Sequence, residues 1–500
     1  MSEPPHLIQN PYFEQMRRFI PKEEQLYLVG GAIRDAFLQQ PIHDLDFVIG
    51  KDPRPLARKV ANMLGGSYYL MDDERQTSRV ILKTGQNQVT TLDFARFRGA
   101  TLEEDLRARD FTVNAIALPI HEPDHLVDPL KGVDDIRHSR LRACSRDALR
   151  DDPVRVMRGI RLAIAFNLRI LPDTLQLMKA AAASLSIVSA ERRRDELFRV
   201  LAGERAASGI RILDEVGALQ QVLPELLALK GVEQSPPHTS DVWEHTLATL
   251  QRLDEIIQAL RPEFIPEKAA NLTMGALVSG LGRYRQPIHE DLVSQMTPGR
   301  SNQSLLVLAA LYHDIAKPST WHRDAHERIR NFGHEEVGAD IISEVGKRLQ
   351  LSNDEVNRLK IIVRHHMRIH LLAQTGQAPS RKAIYRFFRD TGPSGVEVCL
   401  LTLADTLATY GSAVDVDVWL AHVEVCRALL ECWFDKPADT IHPAILLNGH
   451  ELQKELKLQP GPLLGKLLEA LREAQAGGEV RDRQEALAFA RQWARENKAR

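Results

Sequence analysis

Five hundred residues exceed what one hydrophobic core serves, so three or four packed units are expected from a chain that is 44% hydrophobic and 26% charged. No apolar run reaches the length of a membrane span, and the opening residues MSEPPHLIQNPYFEQMRRF lack the apolar core of a signal peptide, so a cytoplasmic protein with no membrane partner is expected. Four scattered cysteines (Cys144, Cys399, Cys426, Cys432) show neither CxxC nor finger spacing, which argues against a disulfide framework or a structural zinc site.

In chain order, "QLYLVG" is apolar and β-branched, "AIRDAFLQQ" has helical spacing and "HDLDFVIG" turns apolar again, so residues 26–50 read strand, helix, strand. "SRVILKT" and "NQVTTLDFARF" are further strand candidates, and "RDFTVNAIAL" opens a mixed segment. Beyond about Leu141 the pattern becomes helical and stays so, through "DPVRVMRGIRLAIAF", "RRDELFRVLAG", "SLLVLAALYHDIAK", "DEVNRLKIIVRHH" and "EVCLLTLADTLATY". The fold class is therefore α+β: a mixed-sheet head followed by a helical body. Breaks are expected at "GVEQSPPHTSD" and near "FDKPADTIHPA". Although the net charge is -2, the stretch from Arg137 to Arg211 holds sixteen Lys or Arg against eight Asp or Glu. Such a basic segment suits a phosphate backbone.

Strand side chains alternate faces, so Asp44 and Asp46 point one way while Leu45 and Phe47 point into a core. Two carboxylates on one strand face repel each other unless a divalent cation sits between them. Asp93, on the apolar strand "VTTLDFARF", is the expected third member of a catalytic Mg²⁺ site for phosphoryl transfer. The turn before Asp44 supplies a place for a triphosphate. Gly30 and Gly31 let backbone approach closely, the helix starting near Ala32 offers free N–H groups, and Arg34 adds a charge-assisted contact.

A Gly-Gly turn followed by Asp-x-Asp inside strand-helix-strand resembles the class II tRNA nucleotidyltransferases (CCA-adding enzymes) and bacterial poly(A) polymerases of the polymerase-β superfamily, here with a C-terminal HD domain. The resemblance implies a nucleotidyltransferase head over residues 1–140, a helical neck over 141–230 for base selection and RNA binding, an HD domain over 238–415 and a helical tail over 416–500. It implies that Arg34 contacts nucleotide phosphates and that "RARDFTVNAIAL" contributes Arg109, Asp110 and Asn114, with Ala108 standing where the family's first Arg is usual. It further implies that in "RDDPVRVMRGIRLA" Asp152 and Arg155 pair with the incoming base, Arg158 contacts nucleotide, and Asp151 replaces the family's Glu. An Asp and an Arg at i and i+3 share one helix face, one accepting and one donating toward a base edge.

Downstream, His245, His313, Asp314, His334, His365, His366 and Asp405 punctuate otherwise apolar helices. Imidazole and carboxylate together suit Mn, Fe, Co, Ni or Zn ions. The order of these segments resembles the HD superfamily of metal-dependent phosphohydrolases. That likeness implies His245, His313, Asp314 and Asp405 as the shared ligand set for a divalent transition metal or Mg²⁺, with His334 and His365 or His366 as additional ligands. The expected activity is template-independent transfer from CTP or ATP to the 3′ end of tRNA with pyrophosphate release, plus HD phosphohydrolysis. An A-adding, CC-adding or poly(A)-adding enzyme, or one working mainly as an HD phosphodiesterase, remains open from sequence.

Overall fold

The computed structural model describes residues 10–497 except 43, 75, 85–87 and 267–270. The chain divides into two units, Met1–Gly203 with Arg211–Val222, and Glu204–Ile210 with Leu223–Arg500.

In the first unit, six strands form one sheet: β1 (Leu26–Val29), β2 (Asp44–Ile49), β3 (Ser67–Asp72), β4 (Thr77–Thr84), β5 (Gln88–Arg96) and β6 (Ala117–Pro119). Their order is β3-β4-β5-β2-β1-β6, and only β2 and β5 run parallel. The β2–β5 register pairs Asp46 with Asp93 and Phe47 with Phe94. Facing positions on parallel strands put like with like, so one sheet face carries carboxylates and the other carries a stacked Phe47–Phe94 pair with ring centroids 5.3 Å apart. Leu45 and Phe47 are buried. Helices Gly31–Phe37 and Arg54–Leu64 bury Ile33, Ala36, Ala57 and Val60.

Helices Arg155–Ala165 and Ala190–Leu201 follow, tied by an Arg161–Glu196 ion pair at 2.9 Å. Gly159 is required where the first of these meets the sheet unit, since a Cβ there would stand 2.5 Å from the ring of Phe111. The "DPVRV" helix starts later than its pattern suggests. Asp152 is extended (φ -146°, ψ 93°) between the short helix Ala148–Asp151 and Arg155, because Pro153 disfavours helical backbone at the residue before it.

Among its described residues the second unit is helical apart from two small hairpins, Gln295–Thr297 with Arg300–Ser301 and His322–Arg323 with Ile329–Arg330. Its main helices include Val242–Ala259, Asn302–Tyr312, His334–Arg348, Asn353–His365 and Gly395–Tyr410. The buried pair Arg358–Glu397 links two of them, and the buried pair Arg300–Glu355 ties the first hairpin to helix Asn353–His365. The C-terminal helices Gly449–Leu456, Pro462–Ala476 and Arg483–Asn497 enclose their own cluster of Leu452, Leu467, Leu471, Ala486 and Ala490. Among the described residues no helix is long and apolar enough to cross a membrane.

Candidate active site

The first unit holds a cleft of about 340 Å³ whose walls come from sheet and helices together. Gly30, Asp46, Arg109, Asp110, Asn114, Asp152, Arg155 and Arg158 line it, as do Arg98, Arg192, Asp195, Glu196 and Arg199. Sequence reasoning brought eight of these together and missed the others, although the run of arginines at 192–194 was a visible signal.

Gly30 makes the closest approach. Its φ is +80°, and a Cβ would stand 2.9 Å from Asp46 Oδ2. A side chain at this position would be both strained and in collision with the carboxylate. Burial and the neighbouring Asp93 carboxylate, with a smaller push from Asp44, raise the Asp46 pKa to about 6 against the pull of Arg109 and Arg158. Asp44 is exposed and accepts a short hydrogen bond from the Thr91 hydroxyl. Asp93 is clasped by Arg79 of β4 through bonds of 2.8 and 2.7 Å. A carboxylate set that cannot comfortably carry all its charge, with oxygen donors only, fits a hard divalent cation.

Arg34 is engaged within the protein. Its guanidinium is buried, donates to Asn114 Oδ1 at 2.6 Å and to Asp35, and lies 4.3 Å from the Phe166 ring centroid. Arg34 thereby braces Asn114, which lines the cleft, and a Cβ at Gly31 would stand 3.2 Å from Arg34 Nη2. Arg158 Nε bonds Asp110 Oδ2 at 2.6 Å, which holds the Asp110 carboxyl below its usual range despite its burial. Arg109 is fixed by Asp105 at 2.9 Å. Asp152 and Arg155, although not on one helix, stay within 4.0 Å of each other at the cleft wall.

The second unit gathers a different centre. His245, His313 and Asp314 form one set of donor atoms within 4.8 Å of one another, and Asp314, His334 and His366 form another, all buried. Asp405 Oδ1 stands 2.9 Å from His245 Nε2. His334 Nε2 and His366 Nε2 lie 3.2 Å apart, while His245 Nε2 and His313 Nε2 are buried without a well-directed hydrogen bond. Nitrogen lone pairs converging in a sealed space fit a divalent ion. Asp314 is held well below its usual range by His313 and Lys317, which together outweigh its burial.

His365 does not join this set. Neighbours on a helix point about 100° apart, so one of two adjacent histidines faces the cluster. His366 does so, and His365 is lowered by burial and by Arg368 outside it. Lys317, His370 and His422 were missed. Lys317 pairs with Asp314 at 2.6 Å, His370 Nε2 is 2.9 Å from Asp405 Oδ2, and His370 Nδ1 is 3.0 Å from His422 Nε2. The i+3 spacing of Lys317 after Asp314 and the i+4 spacing of His370 after His366 were the available signals.

The Poly A polymerase head domain family matches residues 26–142, the family described as "Probable RNA and SrmB- binding site of polymerase A" matches 167–229, the HD domain matches 242–410 and tRNA nucleotidyltransferase domain 2 matches 435–490. An A-adding tRNA nucleotidyltransferase of Deinococcus radiodurans is 35% identical over 94% of this chain and 95% of its own. The chain belongs to the tRNA nucleotidyltransferase family. A CC-adding tRNA nucleotidyltransferase of Thermus thermophilus is 33% identical over 95% of this chain and 94% of its own. A solved CCA-adding enzyme with CTP shares the fold at 18% identity, with a TM-score of 0.61 and 97% coverage of both chains. As a tRNA nucleotidyltransferase the chain is an enzyme, and its head and HD domains imply use of divalent metal.

Proposed function

We propose that this chain transfers nucleotides from CTP or ATP to the 3′ end of tRNA in the cytoplasm, the 3′-hydroxyl attacking the α-phosphate and pyrophosphate leaving. The observation that carries the reading is that Asp46 and the Asp152–Arg155 pair line one cleft. A-adding and CC-adding relatives cover the chain almost end to end, which supports the chemistry they share.

Asp44 and Asp46, with Asp93 beside them, would hold Mg²⁺, which supplies Lewis acidity at the reacting phosphate when bound. The protein's own residues do the rest. Arg109 and Arg158, fixed by Asp105 and Asp110, present rigid guanidinium forks to phosphate and sugar oxygens. Asn114, braced by Arg34, holds the floor of the cleft. Asp152 accepts from an exocyclic amine and Arg155 donates to the adjacent ring nitrogen, a pairing that the Watson–Crick edges of cytosine and adenine satisfy and those of uracil and guanine do not. The basic stretch from Arg137 to Arg211 would hold the tRNA backbone. Asp152→Ala should reduce the preference of CTP and ATP over UTP roughly 10-fold or more, the discrimination of one good base contact. Single-nucleotide incorporation kinetics would check it, and unchanged preference would overturn side-chain base selection.

The histidine pocket supports a second activity, metal-dependent phosphoester hydrolysis. His245, His313, Asp314 and Asp405, with His334 and His366, would hold a transition metal or Mg²⁺ there.

A further inference from the structure

A carboxylate rotates readily about its last torsion and presents acceptor oxygens over a wide arc, so one aspartate selects a base only if something aims it. Asp152 is aimed from the helix Ala190–Leu201. Its Oδ2 accepts from Arg192 Nη2 at 2.7 Å, while Arg155 Nε stands 4.0 Å from the same oxygen. Arg155 has little freedom of its own, since Nη1 donates to the carbonyls of Arg109 at 3.2 Å and Ala148 at 3.0 Å.

Arg192 rises from the first turn of helix Ala190–Leu201, whose Ser189 cap accepts from the Arg192 amide at 3.5 Å. That helix presents Arg192, Asp195, Glu196 and Arg199 to the cleft, a spacing of i, i+3, i+4 and i+7 that marks a single face. Glu196 anchors this face to the helix that begins with Arg155, through Arg161. The donor on Asp152 is thus mounted on a braced element, and the wall it comes from bounds the same cleft as the acceptor.

Resting on the reading of Asp152 and Arg155 as the base-selecting pair, we propose that Arg192 is a specificity-determining positioning residue. By occupying Oδ2 it leaves Oδ1 as the one oxygen directed at the nucleotide, so a base must bring an amine to a single point to be accepted. An Asp152 released from Arg192 can turn, or draw in water, and tolerate a base that presents a carbonyl. The pair is half-exposed, with side-chain exposures of 55% and 28%, so it contributes little to folding stability. Its effect belongs in selectivity.

The test uses the full-length chain with Arg192→Gln, Arg192→Lys and Asp152→Ala, a tRNA acceptor, and separate kcat and KM values for CTP, ATP, UTP and GTP, with melting temperature alongside. Arg192→Gln should lower the kcat/KM preference for CTP or ATP over UTP roughly 10-fold, mainly through KM, at unchanged melting temperature. Arg192→Lys should restore part of it, because an ammonium still reaches Oδ2 without the fixed fork. If Asp152→Ala collapses the preference and Arg192→Gln leaves it intact, the positioning role is wrong while base selection stands. An equal fall in kcat for all four nucleotides with the preference unchanged also overturns it, as a fold or RNA contact would. If Asp152→Ala itself leaves the preference untouched, the base-selecting reading fails and this inference with it.

Discussion

The two acidic centres of this enzyme solve the problem of concentrated charge in opposite ways. In the head, Asp44, Asp46 and Asp93 stand on one sheet face, from exposed Asp44 to half-buried Asp46 and Asp93, with oxygen donors only and arginines around them. In the helical unit, Asp314 and Asp405 are sealed among imidazoles, and every member of the two donor sets is buried. An oxygen-only set that is not sealed from water binds a hard cation weakly and exchanges it with water, which suits an ion that arrives with a triphosphate. A buried set of nitrogens pointing at one another is costly until an ion fills it, which suits a resident ion that stabilises the fold.

Breaking each centre separately gives the largest contrast. Asp46→Ala should cut nucleotide incorporation roughly 10³-fold or more, the several kcal/mol of charge stabilisation at stake, and leave metal content of the helical unit unchanged. Asp314→Ala should do the reverse, removing tightly bound metal by elemental analysis and lowering the melting temperature while incorporation stays within about twofold. Loss of incorporation in both would dissolve the distinction.

A finer probe of the open centre is Gly30→Ala. The added methyl meets Asp46 Oδ2 at 2.9 Å on backbone with φ +80°, a strain of about 1–3 kcal/mol that falls on the Asp46 carboxylate. Incorporation should drop roughly 10-fold or more with little change in nucleotide KM if the carboxylate is displaced. Wild-type kcat in this variant would contradict the tight packing of turn against strand.

The smallest effect concerns burial without an ion. Asp254, on the same helix as His245, has its pKa raised to about 8, chiefly by burial, with Glu204 and Glu255 adding to it and a bond from the Ala206 amide opposing. Between about pH 4 and 8 the folded chain keeps this proton and the unfolded chain has lost it, so stability falls as pH rises, by at most about 1.4 kcal/mol per pH unit. Asp254→Asn, which keeps an acceptor for the Ala206 amide, should flatten the stability profile between about pH 4 and 8 in denaturant titrations. An unchanged profile would place the pH dependence elsewhere.

What was legible in sequence follows from how local each feature is. Strand alternation fixes side-chain faces without knowledge of the rest, so Asp44, Asp46 and Asp93 emerged from the pattern of their own strands. Strand β3, "SYYLMD", did not, because an edge strand exposed along most of its length has no apolar alternation. Pro153 displaced the start of the Arg155 helix, so Asp152 and Arg155 meet across a break rather than along a face. The contacts of Arg34 with Phe166 and Asn114 could not be read locally, because both partners are far away in sequence. Adjacent His365 and His366 were indistinguishable until the direction of their helix was known, and His370 and His422 act on Asp405 only through tertiary packing. Arg192 belongs to the same class, since nothing local says which of three consecutive arginines faces Asp152.

The most direct test of the central claim is incorporation of labelled CTP and ATP, separately and together with Mg²⁺, into tRNA transcripts ending before CCA, after C, after CC and complete. The account predicts addition of C or A to at least one incomplete end, arrest at the finished CCA, and none of either in Asp46→Ala. Failure to add any nucleotide to any incomplete tRNA, or equal activity in Asp46→Ala, would contradict it.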